Sequence, residues 1–174
     1  MLEEICKALS EKTNIRENLI ELKKSIKNQD ALQEWREYHV KHPVLYAFLS
    51  SEDAKIRKNA ALILGETNES GAVKALFEAY QKENTRFVKS AYLTAMNGLD
   101  IETYQDALEK RYQELLAEVP AENEKKHRTE ELHALDKLLG SLNPNKKHRF
   151  TGYEEEIEVL LTTNPAYREI TAEQ

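Results

Sequence analysis

A single cysteine, Cys6, is present in 174 residues, so no internal disulfide can staple the fold. No N-terminal run joins basic, apolar and small residues in the order of a secretory leader, and the expected setting is a reducing cytoplasm. No apolar stretch approaches the roughly 20 residues that a membrane-spanning helix needs. Positive charge is outweighed, with 25 Lys and Arg against 31 Asp and Glu and a net charge of -6. Broad affinity for nucleic acid is therefore not expected, because phosphate binding draws on a cationic surface. A local basic face is still compatible with that balance. Glycine and proline are scarce too, five and four in the chain, which leaves long uninterrupted stretches for regular structure.

What is present is a soluble, helix-leaning composition, 40% hydrophobic and 32% charged. The few breakers stand between apolar-periodic segments. Pro43 opens "PVLYAFLS", Gly65 closes "IRKNAALIL", Gly71 opens "AVKALFEAY", and Gly98 closes "RFVKSAYLTAMN". Pro120 interrupts two amphipathic segments, and Gly140 and Pro144 end the last one. These positions read as inter-helix turns, since helices commonly stop at glycine and rarely run through proline. Between them the period is helical: Ile56, Ala60, Ile63 and Leu64 share a face, as do Leu76 and Tyr80, and Leu132, Leu135, Leu138 and Leu139. About nine helices are expected from Leu2 to Leu139, most of them short.

Two helix pairs can be laid over each other. Leu45, Asp53, Ile56, Ala60 and Leu62 match Leu76, Asn84, Phe87, Ala91 and Leu93 at a constant spacing of 31 residues. Asp53 and Asn84 are suited to cap the second helix of each pair, and Ala60 and Ala91 let that helix approach its neighbour closely. The stretch "DAKIRKNAALILG" resembles the second helix of bacterial HEAT-like repeats, through Asp53, Ile56, Arg57, Ala60, Ala61, Leu64 and Gly65. In "NTRFVKSAYLTAMNG", Val88-Lys89 can equally stand for Ile56-Arg57 with a one-residue shift, while "TNIRENLIEL" keeps Ile15-Arg16 and "HRTEELHALDKLLG" keeps Leu139-Gly140. The resemblance covers Ile15 to Gly140 and implies an all-α fold, a right-handed α-solenoid of HEAT-like helix pairs. It also implies that Arg57 bonds to an acidic residue or carbonyl of the next repeat rather than to a ligand.

Catalytic sets are scarce. Cys6 lies in a first helix expected to fray and has no base beside it. The histidines are His39, His42, His127, His133 and His148. His39 and His42 could share a helical face, but Pro43 ends that helix and no third ligand completes a zinc site, so a solvated pair is expected and no metal or other cofactor. Carboxylate runs such as "YEEEIE" read as solvated faces. Trp35 and Tyr38 fit a packed helix face better than a base-stacking platform. DNA glycosylases are known on HEAT-like folds, and the alternative function is a nucleic-acid-binding or glycosylase-like repeat protein. The residues that would contact a partner or nucleic acid are Lys55, Arg57, Lys58, Arg86, Lys89, Lys146, Lys147 and Arg149. Clustering of the first five in one groove would favour nucleic acid, and dispersal among carboxylates would favour protein.

The C-terminal part breaks the helical pattern. "SLNPNKKHRFTGY" is turn-rich and basic, "EIEVLLTTN" reads as a strand through Ile157, Val159, Leu160 and Leu161, and "PAYREITAEQ" starts a helix at Pro165. "NPAY" superficially resembles the Asn-Pro-Pro-Tyr motif of amino-group methyltransferases, but no glycine-rich loop precedes it to hold S-adenosylmethionine. The segment also resembles the opening strand and helix of the ferredoxin-like region in THUMP-containing RNA methylases, through Thr162, Pro165, Glu169 and Glu173, with Ala166 at the glycine position. Two domains are thus expected: a helical-repeat domain over 1–144, and a linker with a short C-terminal strand-plus-helix segment over 145–174. The expected function is a non-catalytic binding or scaffolding module, the N-terminal part of a larger RNA-modifying methylase. Its partner would be another protein or an adjoining domain, with RNA as a further candidate and no membrane.

Overall fold

The computed structural model describes residues 2–142, and all the regular structure within them is helical. The elements are α1 (Leu2–Ser10), α2 (Ile15–Ser25), α3 (Gln29–Lys41), α4 (Leu45–Phe48), α5 (Ala54–Gly65), α6 (Ala72–Lys82), α7 (Arg86–Met96), α8 (Gln105–Ala117) and α9 (Lys125–Leu142), with 3-10 turns at Glu102–Tyr104 and Glu122–Glu124. Among the described residues the all-α expectation holds. The strand expected over Ile157 to Leu161, the methylase-like motifs and the candidate contacts Lys146, Lys147 and Arg149 lie outside them.

The described residues fall into two compact units, the first ending at Asp100 and the second starting at Ile101. In the first, α5 is the central element and packs against both α2 and α7, while α6 pairs with α7 and α1 with α2. The second helices α2, α5 and α7 therefore form a row. Their inward positions are fully buried: Leu19 and Leu22 on α2, Ala60, Ala61, Ile63 and Leu64 on α5, and Val88, Tyr92, Leu93 and Met96 on α7. In the second unit α8 packs on α9 through Leu108, Tyr112 and Leu115 and through Leu132, Leu135, Leu138 and Leu139.

Glycine at position 65 is required by this packing. A Cβ there would lie 2.5 Å from the carbonyl oxygen of Ala95 and 2.8 Å from its Cα, so α5 and α7 meet backbone to backbone at their C-terminal ends. The sequence reads Gly65 as a helix stop, yet it is the last helical residue, and the left-handed conformation after α5 sits at Asn68 (φ 56°), as that after α7 sits at Gly98 (φ 91°). Gly140 likewise lies within α9 instead of ending it. α1 is packed, with Leu2, Ile5, Cys6 and Leu9 buried, and the expectation that it frays is corrected.

The repeat register shifts by one residue. Asp53 caps α5 as expected, its carboxylate accepting the backbone N–H groups of Lys55 (2.8 Å) and Ile56 (3.3 Å). α7 is capped at Thr85, not Asn84. With that cap, Val88-Lys89 takes the place of Ile56-Arg57, and every buried position of α5 falls on a buried position of α7.

Candidate functional site

The row of second helices is held together by arginines that reach forward to the next cap. Arg16, on the first turn of α2, donates through Nε and Nη2 to the Asp53 carboxylate at 3.2 and 2.7 Å. Arg57, on the first turn of α5, does the same to Glu83: Nε to Oε1 and Nη2 to Oε2, both at 2.8 Å. Its Nη1 donates to the carbonyls of Ser51 and Glu52. Glu83 in turn accepts the backbone N–H of Thr85 at the start of α7 and the hydroxyl of Tyr92. Each carboxylate therefore serves one helix and receives the arginine of the helix before it. The same fork joins α8 to α9, where Arg111 donates to fully buried Glu131 at 2.8 and 3.1 Å. Burial alone would raise the Glu83 carboxyl, but the hydrogen bonds from Arg57, Thr85 and Tyr92 outweigh it and hold the group below its ordinary range.

A second set of polar contacts ties α3 and α4 to the α5–α6 loop. His39 is buried and its Nε2 lies 2.6 Å from Glu69 Oε2, which also accepts the Tyr46 hydroxyl at 2.7 Å. Arg36 Nε donates to the carbonyl of Glu66 at 2.8 Å. The expectation of a solvated histidine pair is corrected here. His42 is exposed and rests against the Tyr38 ring, but His39 points inward, because its partner arrives from a loop 30 residues farther along the chain. Trp35 is fully buried and stacks on Tyr38 at 5.9 Å, the packed face that was expected.

Two concavities open on the first unit. The larger, of about 570 Å³, runs between α4, α6 and the starts of α5 and α7; Arg57, Glu83 and Tyr92 line it, with Glu78 and Lys82. The smaller, of about 370 Å³, lies at the C-terminal ends of α2, α5 and α7. Ile26, Leu32, Leu62, Ile63 and Ala95 give it apolar walls, and Lys23, Lys27 and Glu66 line it as well. Lys23 is half-buried, and its ammonium is held below the ordinary lysine range by burial and then by the neighbouring charges of Lys58 and Lys27. Lys23 Nζ reaches Asn59 Oδ1 at 3.4 Å. Among the described residues, no carboxylate forms an ion pair with Lys23, Lys27 or Lys58.

The five described contact candidates separate. Arg57 is spent on Glu83, and Lys89 lies over the Tyr80 ring, 5.0 Å from its centroid. Lys58 faces the α2 side near Lys23, Lys55 is exposed on the first turn of α5, and Arg86 is half-buried on the first turn of α7. Sequence reasoning missed Lys23 and Lys27. Their signal was an i, i+4 lysine spacing at the end of α2, but the approach of Lys58 exists only in the folded repeat.

Other chemistry-bearing side chains are turned inward. The Cys6 thiol is buried and pushed up to about 11 by burial and by the charge of Glu34. His133 is buried, its imidazole pushed down to about 4 by burial and by Lys137. Among the described residues no three His, Cys, Asp or Glu side chains converge to hold a metal ion, and no helix is long and apolar enough to cross a membrane.

No curated protein and no solved structure matches the chain at a significant level. The family model for HEAT repeats matches residues 2–97 and again 42–119, spanning the helices in which the stacked second helices and their arginine forks occur. By that match, and by the helix-pair repeat with its forward-reaching arginines, the chain belongs to the HEAT-repeat family.

Proposed function

We propose that this protein is a non-catalytic scaffold that binds another protein, or an adjoining domain, on its stacked helix pairs. The carrying observation is the separation of the basic candidates. Arg57 and Lys89 are spent on intramolecular contacts with Glu83 and Tyr80, so the five do not form the continuous cationic track that a phosphate backbone requires. What the row leaves open is a concavity with apolar walls, and HEAT repeats usually mediate protein interactions. The inward, proton-retaining Cys6 thiol supports a packing role for the chain's single cysteine and fits a cytoplasmic setting.

The finer reading places the module ahead of an RNA-modifying methylase. It rests on the likeness carried by Thr162, Pro165, Glu169 and Glu173 and on the basic run Lys146, Lys147 and Arg149. That reading requires structured RNA to bind a longer protein more tightly than these 174 residues, and to weaken when the three basic residues become alanine. The protein-binding reading is tested by placing a photo-crosslinking amino acid at Leu62 in cells that make the protein. A discrete protein adduct is expected. Nucleic-acid adducts there, or no discrete adduct from Leu62 or from exposed positions such as Lys55, would overturn it.

A further inference from the structure

We infer that the concavity at the C-terminal ends of α2, α5 and α7 receives an acidic segment of a partner protein that carries a leucine- or phenylalanine-sized side chain between its carboxylates. The inference rests on the protein-binding reading above and names the surface and the partner's chemistry.

Two properties coincide at this place. The space of about 370 Å³ has room for one or two large side chains; of its apolar lining Ile26, Leu32, Ile63 and Ala95 are buried in the core, and Leu62 is the part-exposed side chain that an apolar anchor would cover. The rim supplies positive charge from Lys23 and Lys27, with Lys58 close enough to disturb Lys23. Glu66 offsets one of these charges, and the helix ends carry negative partial charge that the terminal lysines of α2 oppose. The site remains cationic in a chain of net charge -6.

What sets Lys23, Lys27 and Lys58 apart is that they stand close enough for Lys58 and Lys27 to act on the Lys23 ammonium, which they repel, with no carboxylate among the described residues forming an ion pair with any of the three. Here Arg16, Arg57 and Arg111 each hold a carboxylate, whereas Lys23, Lys27 and Lys58 do not. A carboxylate brought by a partner relieves that repulsion, and the apolar side chain beside it removes the wall from water. A polynucleotide would meet the same lysines but leave the apolar walls unused, and the chain's overall negative charge would repel its length. An acidic peptide with an apolar anchor uses both features.

The test selects from a library of short random peptides against the full chain, then measures a selected, fluorescein-labelled peptide by anisotropy at fixed salt. Enrichment of Asp and Glu flanking Leu or Phe is expected. Binding should fall at least about tenfold in Lys27→Glu/Lys58→Glu, whose side chains sit outside the core, and should recover for a peptide with its acids changed to lysine. Leu62→Asp should weaken binding to a similar extent, with circular dichroism reporting that each variant stays folded. Selection of peptides without acidic character, equal binding by the double variant, or no selected peptide would overturn the assignment of this surface. In those cases a protein adduct from Leu62 or Lys55 still supports the scaffold reading. Tighter binding of a single-stranded RNA oligonucleotide, together with RNA adducts at Leu62, would overturn both.

Discussion

Arg57 holds Glu83 by two parallel N–H···O bonds of 2.8 Å while Glu83 accepts the backbone N–H of Thr85 just ahead of α7, so one ion pair joins the first turn of α5 to the start of α7. The Glu83 side chain is 4% exposed and that of Arg57 16%. Removing the arginine leaves a buried carboxylate whose remaining partners are a backbone N–H and a tyrosine hydroxyl. Arg57→Ala should destabilise the chain by about 3 to 5 kcal/mol, and Arg57→Met together with Glu83→Gln by clearly less, because no lone charge remains buried. Urea unfolding of Arg57→Met, Glu83→Gln and the double variant measures the coupling directly. A coupling energy near zero would show that the pair contributes no more than an exposed one.

The same carboxylate gives a pH dependence with a definite sign. Its folded-state affinity for protons is depressed, so the stabilisation is present above the ordinary carboxylate value of 4.5 and is lost as pH falls through the lower folded value. Glu83→Gln should flatten the stability curve in the acid range below pH 4.5 relative to the parent. Parallel curves would place the acid lability elsewhere.

His133 acts at milder pH. Its ring ordinarily takes a proton near 6.5 but in the folded chain only near 4, so the unfolded state binds more protons between those values. Stability should be unaffected by this group above pH 6.5 and decline by up to about 3 kcal/mol as pH falls toward 4, levelling below it. NMR titration of the His133 ring checks the folded value, and His133→Gln should remove this part of the slope. A ring titrating near 6.5 in the native protein would contradict the burial.

Two helical glycines, Gly65 in α5 and Gly140 in α9, predict opposite effects. Gly65→Ala sets a Cβ 2.5 Å from the Ala95 carbonyl, a backbone atom that cannot move aside, and should cost about 1 to 3 kcal/mol. Ala60→Leu, at a fully buried position of the same helix, should cost a similar amount. Gly140→Ala meets nothing within 4 Å inside α9 and should stabilise by about 0.5 to 1 kcal/mol. Thermal midpoints of the three variants separate the cases.

Cys6 should react with a thiol reagent such as dithiobis-nitrobenzoate only when the chain unfolds. At pH 8 its thiol, pushed up to about 11, is overwhelmingly protonated and covered. Rapid stoichiometric labelling of the native protein would refute this packing.

The second helices were legible because their signals are local. In α5 an acidic cap, an Ile-Arg pair and small residues three and four positions after the arginine fall within a dozen residues, and Asp53, Arg57 and Ala60 take the places that pattern implies. Where legibility failed, the missing information came from elsewhere in the chain. Asn84 has the better capping side chain, but Glu83 already satisfies the Thr85 N–H while receiving Arg57, and the helix begins one residue later. His39 has no local reason to be buried, since Glu69 reaches it from the far side of α5. Gly65 carries the signature of a helix stop, but what selects glycine there is the backbone of α7, a neighbour that no window around residue 65 contains.

The forward direction of the arginine forks also sets an order in time. Arg16 precedes Asp53 by 37 residues and Arg57 precedes Glu83 by 26, so during synthesis each guanidinium leaves the ribosome before the carboxylate it will hold. A stack that folds as it is made would therefore carry Arg16 and Arg57 before Asp53 and Glu83 appear, and would close each fork only when the following unit has emerged.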